Sequence, residues 1–205
     1  EYIEMGIRHA VSGNPGPSFL EIPMDVLGAE VEWDDIRFPK IRTVPPLVMP
    51  AQSDIDEALE ILARAERPVM MVGTSVKWSN AASAVQKFIE HVHIPTFVNG
   101  MGRGAVKPGT PELLNRVRKD AIKQCDVFVC AGVLLDFRLA YGNTIPADAK
   151  IIQVDIENEL IGTNRSADAA VVGNLAASFD AMMASIKNGT NTLDYSTWCK
   201  ELITK

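Results

Sequence analysis

The sequence predicts an α/β fold: a doubly wound parallel sheet of five or six strands with helices on both faces. Two observations carry that expectation. Short continuous apolar runs alternate with stretches of helical period along most of the chain. The runs do not alternate apolar with polar residues, as expected where strands are covered on both sides. Alternation of strand and helix at this spacing implies right-handed crossovers between parallel neighbours. A chain of 205 residues has room for one domain with an appendage, at ~100–200 residues per domain. It can bury roughly 70% of its unfolded surface without help from disulfides or metal.

The elements follow in order. Residues 1–12 carry Ile3, Ile7 and Ala10 at helical spacing, and Ser12-Gly13-Asn14-Pro15-Gly16-Pro17 stops that helix because proline lacks a backbone donor and glycine favours turns. Ser18–Ile22 reads as a strand ended by Pro23. From Met24 to Pro50 no period is sustained, and Pro23, Pro39, Pro45, Pro46 and Pro50 mark an extended linker that contains a domain boundary. Ser53 with Asp56 is a capping-box-like start for a helix whose face is Ile55, Ala58, Leu59, Leu62 and Ala65. Strands are then expected at Val69–Val72, Ile94–Val98, Asp126–Ala131, Lys150–Asp155 and Ala169–Val172. Helices are expected at Asn80–His91, around Leu113–Lys123, at Leu175–Ile186 and at Tyr195–Ile203.

Composition excludes several classes. Hydrophobic residues make up 47% and charged residues 22%, which removes disordered and collagen-like chains. With 20 basic against 26 acidic side chains the net charge is −6, a balance that repels a phosphate backbone, so no nucleic acid is expected as partner. The longest apolar run, Val127–Leu135, is about half of the ~20 residues that span a bilayer, so no membrane is expected either. Cys125, Cys130 and Cys199 form no Cys-x-x-Cys pair and fit a reducing, cytoplasmic setting. The chain opens on Glu1 without a signal-peptide pattern and reads as a cut from something longer.

In an open parallel sheet, ligands sit outside the carboxyl ends of the strands. Gly73-Thr74-Ser75 follows the first strand, where backbone donors could meet a phosphate or simply turn the chain into a helix. Gly100-Met101-Gly102-Arg103-Gly104 follows the second, with glycines for close approach and Arg103 for an anion. Asp136-Phe137-Arg138 follows the third, where the Arg138 fork suits phosphate or pairs with Asp136 at the surface. Asp155, next to Ile156, could accept from ribose hydroxyls or cap the turn holding Glu157 and Glu159. Asn174 after Gly173 is a good N-cap in any case.

No catalytic constellation and no metal site is expected. His91 and His93 read as a helix-end residue and a turn residue, with no ligand set around them. No nucleophile elbow, P-loop or paired carboxylates stand out, and the full Gly-x-Gly-x-x-Gly fingerprint is missing.

Two stretches are more specific. Gly13-Asn14-Pro15-Gly16-Pro17-Ser18-Phe19-Leu20-Glu21-Ile22-Pro23-Met24-Asp25-Val26 resembles the end of the pyrimidine-binding domain of thiamine-diphosphate enzymes, the superfamily of acetolactate synthase, oxalyl-CoA decarboxylase and 2-hydroxyacyl-CoA lyase. Gln153-Val154-Asp155-Ile156-Glu157-Asn158-Glu159-Leu160-Ile161-Gly162 looks like the strand-and-turn signature of their central, Rossmann-like domain. Pro68-Val69-Met70-Met71-Val72-Gly73, Ile94-Pro95 and Asp126-Val127-Phe128-Val129 fall in the family order. The resemblance implies that residues 1–30 are the tail of the first domain, 31–50 a linker, 51–190 the central domain and 191–205 the start of a linker to a diphosphate-binding domain. It implies a parent enzyme using thiamine diphosphate and Mg²⁺ in a homodimer or homotetramer, with those sites in flanking domains of the same polypeptide. The isolated chain would then be inactive.

That family's central domain holds FAD in acetolactate synthases and ADP in oxalyl-CoA decarboxylase, and is empty in several lyases. Carried over, Gly73, Arg138, Asp155 and the Asn174 region are the implied nucleotide contacts. The departures weigh against FAD. Gly73-Thr74-Ser75 stands where FAD-binding members often have three glycines, and Leu134 replaces the first arginine of Arg-Phe-Asp-Asp-Arg. The segment from Lys107 to Asp126 is short for a flavin-embracing loop, and Asn174 replaces the usual aspartate. ADP, the ADP part of CoA, or no nucleotide are the remaining expectations.

Overall fold

The structure is a computed structural model in which residues 1–39, 46–189 and 192–204 are described. The chain divides into two compact units, Glu1–Pro46 and Leu47–Lys205. The middle of the expected linker, 40–45, and the expected boundary at 190/191 lie outside the described residues.

In the first unit, helix α1 spans Tyr2–Val11 and buries none of its residues. It ends where expected: the Ser12 N–H and hydroxyl both turn back to the Arg8 carbonyl, and Gly13 takes φ +60°. The expected strand Ser18–Ile22 does not form. A strand needs a neighbour to take its backbone groups; here the Ser18 hydroxyl donates to the Gly6 carbonyl at 2.7 Å instead, and Phe19 is 90% exposed. Beyond it lie one helical turn, α2 at Met24–Leu27, and a 3₁₀ turn at Trp33–Asp35.

The second unit contains five parallel strands: β1 Pro68–Val72, β2 Thr96–Val98, β3 Val127–Ala131, β4 Lys150–Asp155 and β5 Ala169–Val172. Their order in the sheet is β2-β1-β3-β4-β5. From β1 the chain steps outward to β2, then returns across β1 to β3 and continues the other way. The succession therefore reverses between β1 and β3, the position where open α/β sheets offer a crevice. β1 and β3 are buried along their whole length, which explains their unbroken apolar sequence.

Helices cover both faces. One core gathers Ile55, Ala58 and Leu62 of α3 (Gln52–Ala63), Phe88 and Ile89 of α5 (Ala82–Val92), and Phe179 and Met182 of α7 (Leu175–Asn188). Phe88 and Phe179 meet edge to face, 5.2 Å between centroids, a geometry that matches ring edge to ring face. The opposite core gathers Ala121 and Ile122 of α6 (Arg118–Gln124), Leu135, Leu139 and Ile145 of the β3–β4 connection, and Trp198 and Leu202 of α8 (Ser196–Ile203).

Several element starts differ from expectation. α3 begins at Gln52 with Ala51 at the N-cap; Ser53 lies inside the first turn and its hydroxyl turns to Asp54 rather than closing a capping box with Asp56. Gln52 reaches Asp56 and Ser185 with its amide. Asn80 takes φ +50°, so α5 starts after it, and a short helix α4, Thr74–Trp78, precedes it. β2 starts at Thr96 because Pro95 has no donor for the ladder, although its carbonyl accepts from the Met70 N–H.

Between β4 and β5 lies a 3₁₀ turn, Asn158–Leu160, in place of an α-helix. Arg165 organises that stretch: its guanidinium donates to the carbonyls of Gly142, Ile145, Pro146, Ala147 and Ala149.

Candidate functional site

The carboxyl rim of the sheet is closed tightly at the reversal point. The Gly73 N–H donates to the Ala131 carbonyl at 2.9 Å, and the Ser75 N–H to the Gly132 carbonyl at 3.3 Å. A Cβ on Gly73 would lie 2.4 Å from the Gly132 carbonyl oxygen and 2.5 Å from the Val133 side chain. Gly132, at φ +65°, would bring a Cβ within 2.8 Å of that of Ser75 and 2.9 Å of the Leu175 side chain. The two glycines let β1 and β3 end backbone to backbone. Sequence reading missed Gly132; a glycine directly after an apolar strand was the available signal.

The loop after β2 folds onto the same rim. The Asn99 N–H donates to the Val72 carbonyl, and a Cβ on Gly102 would sit 2.4 Å from that carbonyl oxygen. Thr74 Oγ1 accepts from the Met101 N–H at 3.4 Å and stands 2.8 Å from where a Cβ of Gly100 would be. Gly73, Thr74, Gly100 and Gly102 are thus brought together. Arg103 points outward, lining with Lys77, Asn80, Met101 and Gly104 an open groove of about 440 Å³.

Asp155 closes β4. It is 4% exposed; its Oδ2 accepts from the Ser75 hydroxyl and its Oδ1 from the Glu157 N–H, both at 3.2 Å. The structure therefore unites Ser75 with Asp155 and gives Asp155 the turn-capping bond weighed from sequence. Ile156 beside it is partly buried against the core. Burial, reinforced by the Asp155 charge, drives the neighbouring Cys130 thiol far above its ordinary range. Asn174 caps α7 through bonds from the Ala176 and Ala177 N–H groups at 3.0 and 3.2 Å. Its own N–H donates to Val48, and residues 48–50 cover Gly173.

Arg138 stands beyond β3. Its Nη1 donates to Asp136 Oδ2 at 2.5 Å, its N–H donates to Asp136 Oδ1 at 2.9 Å, and its guanidinium lies 4.7 Å above the Phe137 ring. Ala140, Tyr141 and Gly142 follow with φ +49°, +54° and +78°, a left-handed run that costs about 1–2 kcal/mol at each non-glycine position.

His93, in the left-handed C-cap of α5, meets the buried Glu112 at 2.7 Å. Sequence reading had His93 as a turn residue and missed its partner, which lies 19 positions away. Among the described residues no group of three or more His, Cys, Asp or Glu is placed to hold a metal ion. No helix among them is long and apolar enough to cross a membrane.

A five-stranded parallel sheet reversing between β1 and β3, with glycine-mediated closure there and a carboxylate at the end of β4, defines a Rossmann-like α/β domain. The chain belongs to the family of thiamine pyrophosphate enzyme central domains, whose family model matches residues 55–182. It is 34% identical over 189 residues to oxalyl-CoA decarboxylase of Escherichia coli, covering 91% of this chain and 34% of that protein. It is 32% identical over 202 residues to the acetolactate synthase large subunit IlvG of Mycobacterium tuberculosis, covering 98% and 36%. It is 28% identical over 177 residues to human 2-hydroxyacyl-CoA lyase 1, covering 85% and 31%. The chain spans about a third of the length of these curated relatives.

Proposed function

We propose that this chain is the non-catalytic middle of a thiamine-diphosphate- and Mg²⁺-dependent enzyme that makes or breaks a carbon–carbon bond next to a carbonyl. Acetolactate-synthase-type carboligation is the first reading, and an acyl-CoA lyase or decarboxylase the second. Residues 1–30 then end a pyrimidine-binding domain, 51–190 form the central domain, and 191–205 lead towards a diphosphate-binding domain, in a cytoplasmic homodimer or homotetramer. Thiamine diphosphate supplies the carbanion chemistry when bound by the flanking domains; this chain positions them.

Its rim holds an adenine nucleotide, with Gly73, Thr74, Ser75, Gly100, Gly102, Arg103, Arg138, Asp155, Ile156 and Asn174 as the contacts. The observation that supports this is the buried Asp155 at the end of β4, bonded to Ser75 in the turn after β1, at the carboxyl rim of a sheet that reverses between β1 and β3. Leu134 in place of an arginine favours ADP, or the ADP part of CoA, over FAD. A spacer with no nucleotide is the alternative, and a specific observation favours it: the rim donors of Gly73, Ser75, Met101 and Gly102 already have acceptors within the chain. A free-standing nucleotide-binding module is a third reading.

Calorimetric titration of the full-length protein and of the 205-residue chain with ADP, CoA and FAD decides among them. Saturable heat with ADP or CoA supports the nucleotide reading, and none with any of the three supports the spacer. A flavin retained on purification overturns the preference for ADP. Production of acetolactate from pyruvate by the full-length protein supports carboligation; cleavage of an acyl-CoA without it supports the second reading.

A further inference from the structure

We infer that Asp136 is a resident competitor at the rim: its carboxylate holds the Arg138 guanidinium, and a nucleotide diphosphate binds there by displacing it. The inference rests on the nucleotide-holding reading above and deepens it.

The geometry separates a fixed partner from a movable one. Asp136 is held in place: its Oδ1 accepts from the Arg138 N–H at 2.9 Å, and its carbonyl accepts from the N–H groups of Leu139 and Tyr141. The segment is tied at both ends, by Asn164 Nδ2 to the Leu135 carbonyl at 2.9 Å and by Arg165 Nη1 to the Gly142 carbonyl at 3.1 Å. Leu139 is buried between those anchors. The left-handed run Ala140-Tyr141-Gly142 keeps the turn tight. The backbone is thus committed while the Arg138 side chain, 56% exposed and resting on Phe137, can swing about its own bonds.

The charges make the exchange favourable. The Arg138 end of the pair is 56% exposed and the Asp136 end 20%; a pair open to water at its cation contributes little, so releasing Arg138 from Asp136 costs little. A diphosphate brings more negative charge and an oxygen pair that matches the guanidinium fork. Asp136 also repels that ligand, so it acts against binding twice, by occupying Arg138 and by its own charge. Its Oδ1 keeps capping the turn in both states, and the fold need not change.

The test is calorimetric titration of the full-length protein with ADP and with inorganic pyrophosphate, at low and at high salt, for wild type, Asp136→Asn, Arg138→Gln and the double variant. Asp136→Asn retains a cap acceptor without the charge, and urea midpoints check that each variant folds. Expected is binding about two- to fivefold tighter for Asp136→Asn, with the gain shrinking in salt. Arg138→Gln should bind about tenfold or more weakly, and adding Asp136→Asn to it should recover at most the part due to simple repulsion. Pyrophosphate following this pattern without ADP binding supports the competition while removing adenine from the functional reading. ADP binding that ignores both substitutions, or that weakens in Asp136→Asn, overturns the competition and leaves the nucleotide reading standing. Silence of both ligands with wild type and Asp136→Asn overturns both.

Discussion

The Tyr195 hydroxyl donates to the Leu62 carbonyl at 2.7 Å, joining residues 133 positions apart. Tyr195 is 6% exposed, and its N–H donates to the Val92 carbonyl. The segment leading into α8 is therefore fastened to the ends of both α3 and α5. Tyr195→Phe keeps the ring and removes one buried bond, and should lower unfolding free energy by about 1 kcal/mol. Urea denaturation with an unchanged midpoint would show that the bond contributes nothing.

Gly73→Ala should be costlier, because the clash is with backbone. The new methyl meets the Gly132 carbonyl oxygen at 2.4 Å, and β1 and β3 must part at the reversal point to admit it. Overpacking of this kind costs about 1–3 kcal/mol. Thermal melts of Gly73→Ala beside Gly16→Ala check the cause, since neither glycine needs a positive φ and a Cβ at Gly16 comes no nearer than 4.0 Å to another atom. Equal losses at the two sites would contradict the packing explanation.

On the acid side, Asp168 is the group to follow. Burial pushes its carboxyl up, but the Lys150 ammonium and the Ile151 N–H outweigh that and hold it below the ordinary range. A carboxyl depressed in the fold contributes stability above its unfolded pKa of about 3.9, and loses it as pH falls through the lower folded value. Because the pair is partly exposed, the contribution is discounted to under about 1 kcal/mol. Asp168→Asn should flatten the stability curve below about pH 4 and leave its alkaline limb alone; an unchanged acid limb would exclude the pairing as a source.

On the alkaline side the cysteines act together. Burial pushes the Cys125 thiol up to about 12 and the Cys199 thiol up to about 11, and Cys130 higher still. Ionisation is thus easier in the unfolded chain, so stability holds below about pH 8.5 and falls as pH rises from there towards the folded values. Native protein at pH 8 should react slowly with a thiol reagent at all three positions and rapidly in urea. Cys130→Ala should show a shallower alkaline decline, whatever its stability at neutral pH. One fast native thiol would contradict the burial.

The sheet was legible because its residues have few alternatives. Val69–Val72 and Ala169–Val172 are unbroken apolar runs, and between its charged ends Lys150–Asp155 is interrupted only by Gln153. Ser18–Ile22 has the same local appearance, yet a strand is defined by a neighbour, and composition does not record one. Asp155 was legible as a residue that matters, but its two roles differ only in what faces it, which is set by Ser75 eighty positions earlier. Gly132 is marked in the sequence only as a glycine directly after an apolar strand, and its function lies in the gap to Gly73, a distance between strands. The α4 turn was missed because five residues are too few to show a period.

The Arg165 clamp has a consequence for how the domain tolerates substitution. One guanidinium serves five carbonyls between Gly142 and Ala149, so the β4–β5 connection and the stretch ahead of β4 share a single fastening. A lysine there keeps the charge but lacks the planar fork, and would leave most of those carbonyls bare.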